Sequence, residues 1–148
     1  MKRSAGIVLY RRTGAGVEVL LGHMGGPYWA RKEAGAWTIP KGEVESGEEP
    51  LAVAQREFEE EIGVAVPSGA MVDLGEIRQS GKTVQAWAVE GDLDASTIVS
   101  NVVELEWPPR SGRIQSFPEI DRAAWFDLDS ARVVIIQAQR ELLDRLPI

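Results

Sequence analysis

Between Gly42 and Val64, twenty-three residues hold eight carboxylates and a single basic side chain, Arg56. The net charge of that stretch is −7, which is the charge of the whole 148-residue chain, so the rest balances fifteen acids with fifteen bases. Like charges this close repel. A fold that keeps them together must supply protons, hydrogen bonds or cations. The concentration therefore points to a seat for divalent metal ions, and a bound metal can turn an acidic patch into a receptor for phosphate.

The same stretch carries the strongest helical pattern. Glu48 to Ile62 opens with two acids and Pro50, which suit a helix N-terminus. Leu51, Ala54, Phe58 and Ile62 recur at spacings of three and four, and Gly63 can cap the C-terminus. Glu57, Glu60 and Glu61 then share one face, while Phe58 and Ile62 point to another, toward the core. Magnesium and manganese favour such oxygen ligands. The plainer reading is a solvated acidic face, since glutamate is a good helix former.

Around this helix the chain alternates strands and turns. Lys2–Tyr10 and Val17–Met24 read as strands, and Gly25–Ala36 as a loop with aromatic anchors. Trp37–Ile39 reads as a short strand stopped by Pro40, and Gly42–Gly47 as a loop. Met71–Arg78 and Lys82–Glu90 form a predicted hairpin about Ser80-Gly81. Val102–Trp107 and Ala123–Leu128 are further strands. Asp129 and Ser130 can cap a last helix running to about Arg145. Strands, helix, strands, helix indicate an α/β domain of the α+β type, with a mixed central sheet between helices. At this length the expectation is one domain over residues 1–148.

Several classes are disfavoured. Without cysteine there is no disulfide framework and no thiolate chemistry. A pI near 4.8 and the lack of a basic stripe argue against a nucleic-acid polymer as partner. No apolar run approaches the ~18 residues of a membrane span. The chain reads as soluble and cytoplasmic, and a homodimer is left open.

From Gly42 the pattern is Gly, five residues, Glu48, seven residues, Arg56-Glu57, an apolar residue, any residue, Glu60-Glu61, any residue, Gly63 and an apolar residue. This resembles the Nudix box at all nine specified positions. The resemblance implies an α/β/α sandwich and Mg²⁺- or Mn²⁺-dependent hydrolysis of a nucleoside diphosphate linked to another group. It implies Glu57, Glu60 and Glu61 as metal ligands, with the main-chain oxygen of Lys41 and a water-mediated Glu48 beside them. Arg56 corresponds to the arginine that orients the first of these glutamates. Some members take their base from a loop before the last strand. Glu119, six residues before Trp125, resembles that acid, and Glu60 is the alternative base.

Substrate cues are fewer. Pro40-Lys41-Gly42 resembles the lead-in of diadenosine and diphosphoinositol polyphosphate hydrolases. The tyrosine typical of many diadenosine polyphosphate hydrolases and the proline of ADP-ribose hydrolases are missing. Glu106–Arg113 with Phe117-Pro118-Glu119 resembles bacterial Nudix proteins described as NTP pyrophosphohydrolases. Lys41, Lys82, Arg110 and Arg113 could meet phosphates. Trp29, Trp87 and Trp107 could stack a base or simply fill core. His23 reads as a surface histidine at a strand end. The expected substrate is a small-molecule nucleoside tri- or polyphosphate, with a dinucleoside polyphosphate as the alternative. A non-catalytic nucleotide sensor is the rival of another class, disfavoured by the complete box.

Overall fold

The computed structural model describes residues 2–148. In chain order the elements are β1 (Arg3–Thr13), β2 (Gly16–Met24), β3 (Trp37–Thr38), β4 (Lys41–Glu43), α1 (Pro50–Ile62), β5 (Val72–Gln79), β6 (Lys82–Glu90), β7 (Val102–Glu106), β8 (Ile114–Pro118), β9 (Ile120–Asp127), α2 (Leu128–Val134) and α3 (Arg140–Asp144). Short 3-10 turns lie at Ala95–Thr97 and Gln137–Gln139.

The β1–β2 hairpin is paired only near its turn, from Tyr10↔Val19 to Thr13↔Gly16. Beyond that the strands part, and the Trp37–Glu43 segment enters between them. β3 pairs with β2 at Gly22 and His23, while β4 pairs with β1 at Ser4 to Gly6. Pro40 sits where the segment changes partner. Having no N–H, it gives nothing to a ladder, but its carbonyl accepts from the Ile7 N–H at 3.1 Å. β6 runs parallel to β1 on its other edge, β5 is antiparallel to β6, and β9 is antiparallel to β2. The sheet is mixed, and β7 with β8 forms a separate two-stranded ribbon.

Alternation along β1 sorts the core into two layers. Ala5, Ile7 and Leu9 face α1 and pack with Val53, Ala54, Phe58 and Ile62. Val8 and Tyr10 face the other way, toward Ala131, Ile135, Leu142, Leu143 and Leu146. Helices thus cover both faces, which is why β1 reads as a nearly unbroken apolar run. Phe58 and Ile62 are fully buried, each stabilising the α1 layer by about 1.5–3 kcal/mol. Gly63 ends α1 in the left-handed region at φ 90°, donating its N–H to the Glu59 carbonyl.

Four local expectations are corrected. The last helix is broken: α2 stops at Val134, and a turn precedes the short α3. Val133-Val134-Ile135-Ile136 is a β-branched run, poor for helix. Ile135 is extended and bridges Trp37, and the Ile136 N–H donates to the Trp37 carbonyl at 2.8 Å. The cap of α2 is Asp127, whose carboxylate accepts from the Ser130 N–H. Gly42 and Glu43, expected in the Gly42–Gly47 loop, belong to β4, because β1 offers a free edge where β2 has diverged. His23 is completely buried, because β3 and β9 both pair with β2 around it. The Ser80-Gly81 hairpin turn has positive φ at both residues, as expected. Among the described residues, no helix is long and apolar enough to cross a membrane.

Candidate functional site

One helical turn separates Glu57 from Glu61, so both carboxylates leave α1 on the side facing β4 and the segment before β9. There they meet Glu119. One carboxylate oxygen from each of the three lies within 4.8 Å of the others.

Main-chain hydrogen bonds bring Glu119 to the helix. The Val99 N–H donates to the Ile62 carbonyl and the Asn101 N–H to the Glu60 carbonyl, tying residues 99–101 to the end of α1. That strut holds the next segment: the Glu119 N–H donates to the Asn101 carbonyl at 2.9 Å, and the Ile120 N–H to the Ser100 hydroxyl at 3.0 Å. The Glu119 carbonyl accepts from the Gly25 N–H.

Glu61 is the most constrained of the three. It is 2% exposed, and its Oε2 has no hydrogen-bond partner. Burial pushes its carboxyl up from 4.5 to about 10, with the charges of Glu119 and Glu57 adding and Lys41 opposing. Glu57 is raised for the same reasons, first burial and then Glu60 and Glu119. Three clustered carboxyl groups, one with an orphaned buried oxygen, fit a hard divalent cation that prefers oxygen ligands.

Glu57 also lies against the Lys41–Gly42 peptide. A Cβ on Gly42 would sit 2.1 Å from the Glu57 carboxyl carbon. We expect Gly42→Ala to fold, because the flexible side chain can yield, but to displace that carboxylate. The thermal shift produced by Mg²⁺ should then shrink, with affinity down on the order of 10-fold.

Glu61 and Glu119 open into a cleft of about 320 Å³. Met24, Thr38, Lys41, Glu61, Gln79, Lys82, Glu119, Ile120 and Ile136 line it. Burial lowers the Lys41 ammonium to about 8, with the neighbouring Lys82 charge adding and Glu61 and Glu119 opposing. Two ammonium groups side by side call for an anion between them. The wall behind them is braced by Gln139, fully buried, whose amide accepts from the Ile39 N–H and donates to Thr38 Oγ1 and Gln79 Oε1. Nothing in the sequence singled out Gln139.

Other expected site residues lie elsewhere. The side chain of Glu60 is 46% exposed and stands 3.9 Å from the Arg56 guanidinium, outside the three-carboxylate group. Arg56 makes its hydrogen bond to Glu48, at 2.7 Å, and lies at 3.7 Å from Glu57. That hydrogen bond, with a second from the Glu45 N–H, holds Glu48 below the ordinary glutamate range. Glu48 therefore fastens the loop before α1 to the helix, and Arg56 reaches the cluster only by a longer ion pair. Arg110 and Arg113 are exposed near the β7–β8 turn and do not line the cleft. Trp87 is core. Trp29 and Trp107 line a neighbouring cleft.

Comparison with solved structures gives the same fold. The C. elegans Ap4A hydrolase in a binary complex has a TM-score of 0.64 at 24% identity, covering 98% of this chain and 94% of that one. The NUDIX domain of Shewanella oneidensis NrtR complexed with ADP ribose has a TM-score of 0.64 at 14% identity, covering 97% and 84%. The MutT protein of Methanosarcina mazei has a TM-score of 0.60 at 19% identity, covering 97% and 91%. No curated protein sequence matches significantly. A family model of the NUDIX domain matches residues 1–146, and the chain therefore belongs to the Nudix family.

Proposed function

We propose that this protein is a divalent-metal-dependent hydrolase that cleaves a phosphoanhydride in a nucleoside tri- or polyphosphate. The observation that carries this reading is the convergence of Glu57, Glu61 and Glu119, two of which, Glu61 and Glu119, line a cleft that also holds Lys41 and Lys82. In this reading Glu57 and Glu61 hold Mg²⁺ or Mn²⁺ from α1, and Glu119 and the Lys41 carbonyl complete the protein's share. A metal bound there would supply charge to neutralise phosphate oxygens and would make a water more acidic. Lys41 and Lys82 take the phosphate oxygens and fix the chain of phosphates for in-line displacement. The carboxylate oxygen of Glu119 that does not face the metal would receive the proton of the attacking water, because Glu119 stands at the cluster while Glu60 turns toward Arg56. The cytoplasm, where such nucleotides are made and used, is the proposed place of action.

A second reading keeps the chemistry and takes a dinucleoside polyphosphate. It is favoured by Pro40-Lys41-Gly42 and by the likeness to the C. elegans Ap4A hydrolase.

Purified protein with Mg²⁺ and a panel of nucleoside triphosphates, dinucleoside polyphosphates and nucleotide sugars tests the reading by product identification. Cleavage of a tri- or polyphosphate is expected. Tight binding without turnover for every compound would instead support a nucleotide sensor. Glu119→Gln should lower kcat on the order of 100-fold and Glu60→Gln by less; the reverse order would make Glu60 the base.

A further inference from the structure

β9 meets β2 with one residue too many. From Glu18↔Asp127 to His23↔Arg122 the pairing is regular, but Met24 faces Ile120, so Asp121 is left out of the ladder as a β-bulge. Side chains alternate along a strand. If Asp121 joined the ladder opposite Met24, Ile120 and Glu119 would each move one place along and turn to the other face. The bulge therefore decides where Glu119 points.

Two glycines are fitted to the bulged register. A Cβ on Gly22 would sit 2.8 Å from the Ile120 side chain, and one on Gly25 would sit 1.9 Å from the Pro118 carbonyl oxygen. The same register brings the Glu119 carbonyl to the Gly25 N–H, which donates to it at 2.9 Å.

His23 keeps Asp121 out of the ladder. Its ring is completely buried and is bonded on both sides. Nε2 lies 2.7 Å from the Lys32 carbonyl, which can only accept, so the ring donates there. Nδ1 lies 2.9 Å from Asp121 Oδ1, with one hydrogen between them. Trp37 packs edge to face on the ring, with centroids 5.2 Å apart. Arg122, the residue after the bulge, is paired with Glu33, and Glu33 also accepts from Trp37 Nε1 at 3.1 Å. The bulge is thus fastened to β2, to β3 and to the loop between them.

We propose that His23 is a positioning residue for Glu119: by binding Asp121 it latches the bulge that sets Glu119 beside Glu57 and Glu61. The proposal rests on the reading of those three carboxylates as a metal seat.

Asp121 is the place to test it, because its side chain is 28% exposed and its loss leaves no buried hole. Asp121→Ala removes the latch. Asp121→Asn keeps it, since an amide can donate to Nδ1. Two quantities are measured: Mn²⁺ affinity by electron paramagnetic resonance, and hydrogen exchange of the Gly25 amide in metal-free protein. The Ala variant should bind Mn²⁺ about tenfold more weakly and lose protection at Gly25, while the Asn variant should match wild type in both. In a Glu119→Gln background, Asp121→Ala should lower Mn²⁺ affinity no further, because the latch acts through Glu119. Equal loss in both backgrounds is a general loosening and overturns the proposal. So does an Ala variant indistinguishable from wild type, or an Asn variant as weak as Ala. If wild-type protein binds no Mn²⁺, the metal reading fails by itself. Gly25 exchange then decides on the latch: protection retained in the Ala variant overturns it, and protection lost supports it.

Discussion

Glu61→Gln is expected to lower kcat by at least about 100-fold while leaving the metal-free protein as stable as its parent, or more so. The two effects have opposite signs for one reason. In the metal-free fold Glu61 is a carboxyl group pressed out of water, held up to about 10, with an oxygen that bonds to nothing. Glutamine keeps the size and removes the demand for a charge, so the fold loses little. In the proposed reading the metal would lose an anionic ligand, and removal of such charge stabilisation costs turnover by factors of about 100 to 1,000. Kinetics and melting curves with and without Mg²⁺ separate the two effects. A variant that keeps its rate, or that unfolds without metal, contradicts this assignment of Glu61.

The second large effect is the pH dependence of stabilisation by metal. Without metal, the folded state keeps the Glu61 proton up to about 10, whereas the unfolded chain releases it near 4.5. Between those values the folded state binds more protons, so its stability falls as pH rises, by up to about 1.4 kcal/mol per unit for one group. Glu57 is shifted in the same direction. Lys41 acts oppositely: its folded value near 8 lies below the ordinary 10.5, so above about 8 it makes stability rise with pH. The clean window is therefore below about 8. There a divalent cation must displace protons from the cluster, and its hold strengthens with pH. The rise in Tm caused by saturating Mg²⁺ should be small near the bottom of the window and grow steadily toward its top. A shift that is flat with pH, or that shrinks, contradicts a protonated cluster.

The parts of this molecule that were legible in its sequence are those set by periodicity and turn chemistry. Ala54, Phe58 and Ile62, with a partly buried Leu51, gave α1 its core-facing side, Gly63 its end, and Ser80-Gly81 the β5–β6 turn. Glu57 and Glu61 were legible because i and i+4 share a face whatever the fold. Glu119 came from resemblance and its distance from Trp125, since the strut that delivers it is built of main-chain bonds from residues 99–101, to which side chains give little clue. The break after Val134 was hidden for a similar reason: the apolar residues suit a helix, and a bridge to Trp37 decides otherwise. β8 was missed because Ile114–Pro118 is mostly exposed and lacks an alternating pattern. Arg56 illustrates the limit of motif reading, since its shortest bond goes to Glu48 and not to the glutamate beside it.

The most direct measurement is the anomalous scattering of crystals soaked in Mn²⁺. The account predicts a peak within coordinating distance of the carboxylate oxygens of Glu57, Glu61 and Glu119, lost in Glu61→Gln crystals. Ordered crystals with no peak there, or with manganese bound only at other acids, would contradict it.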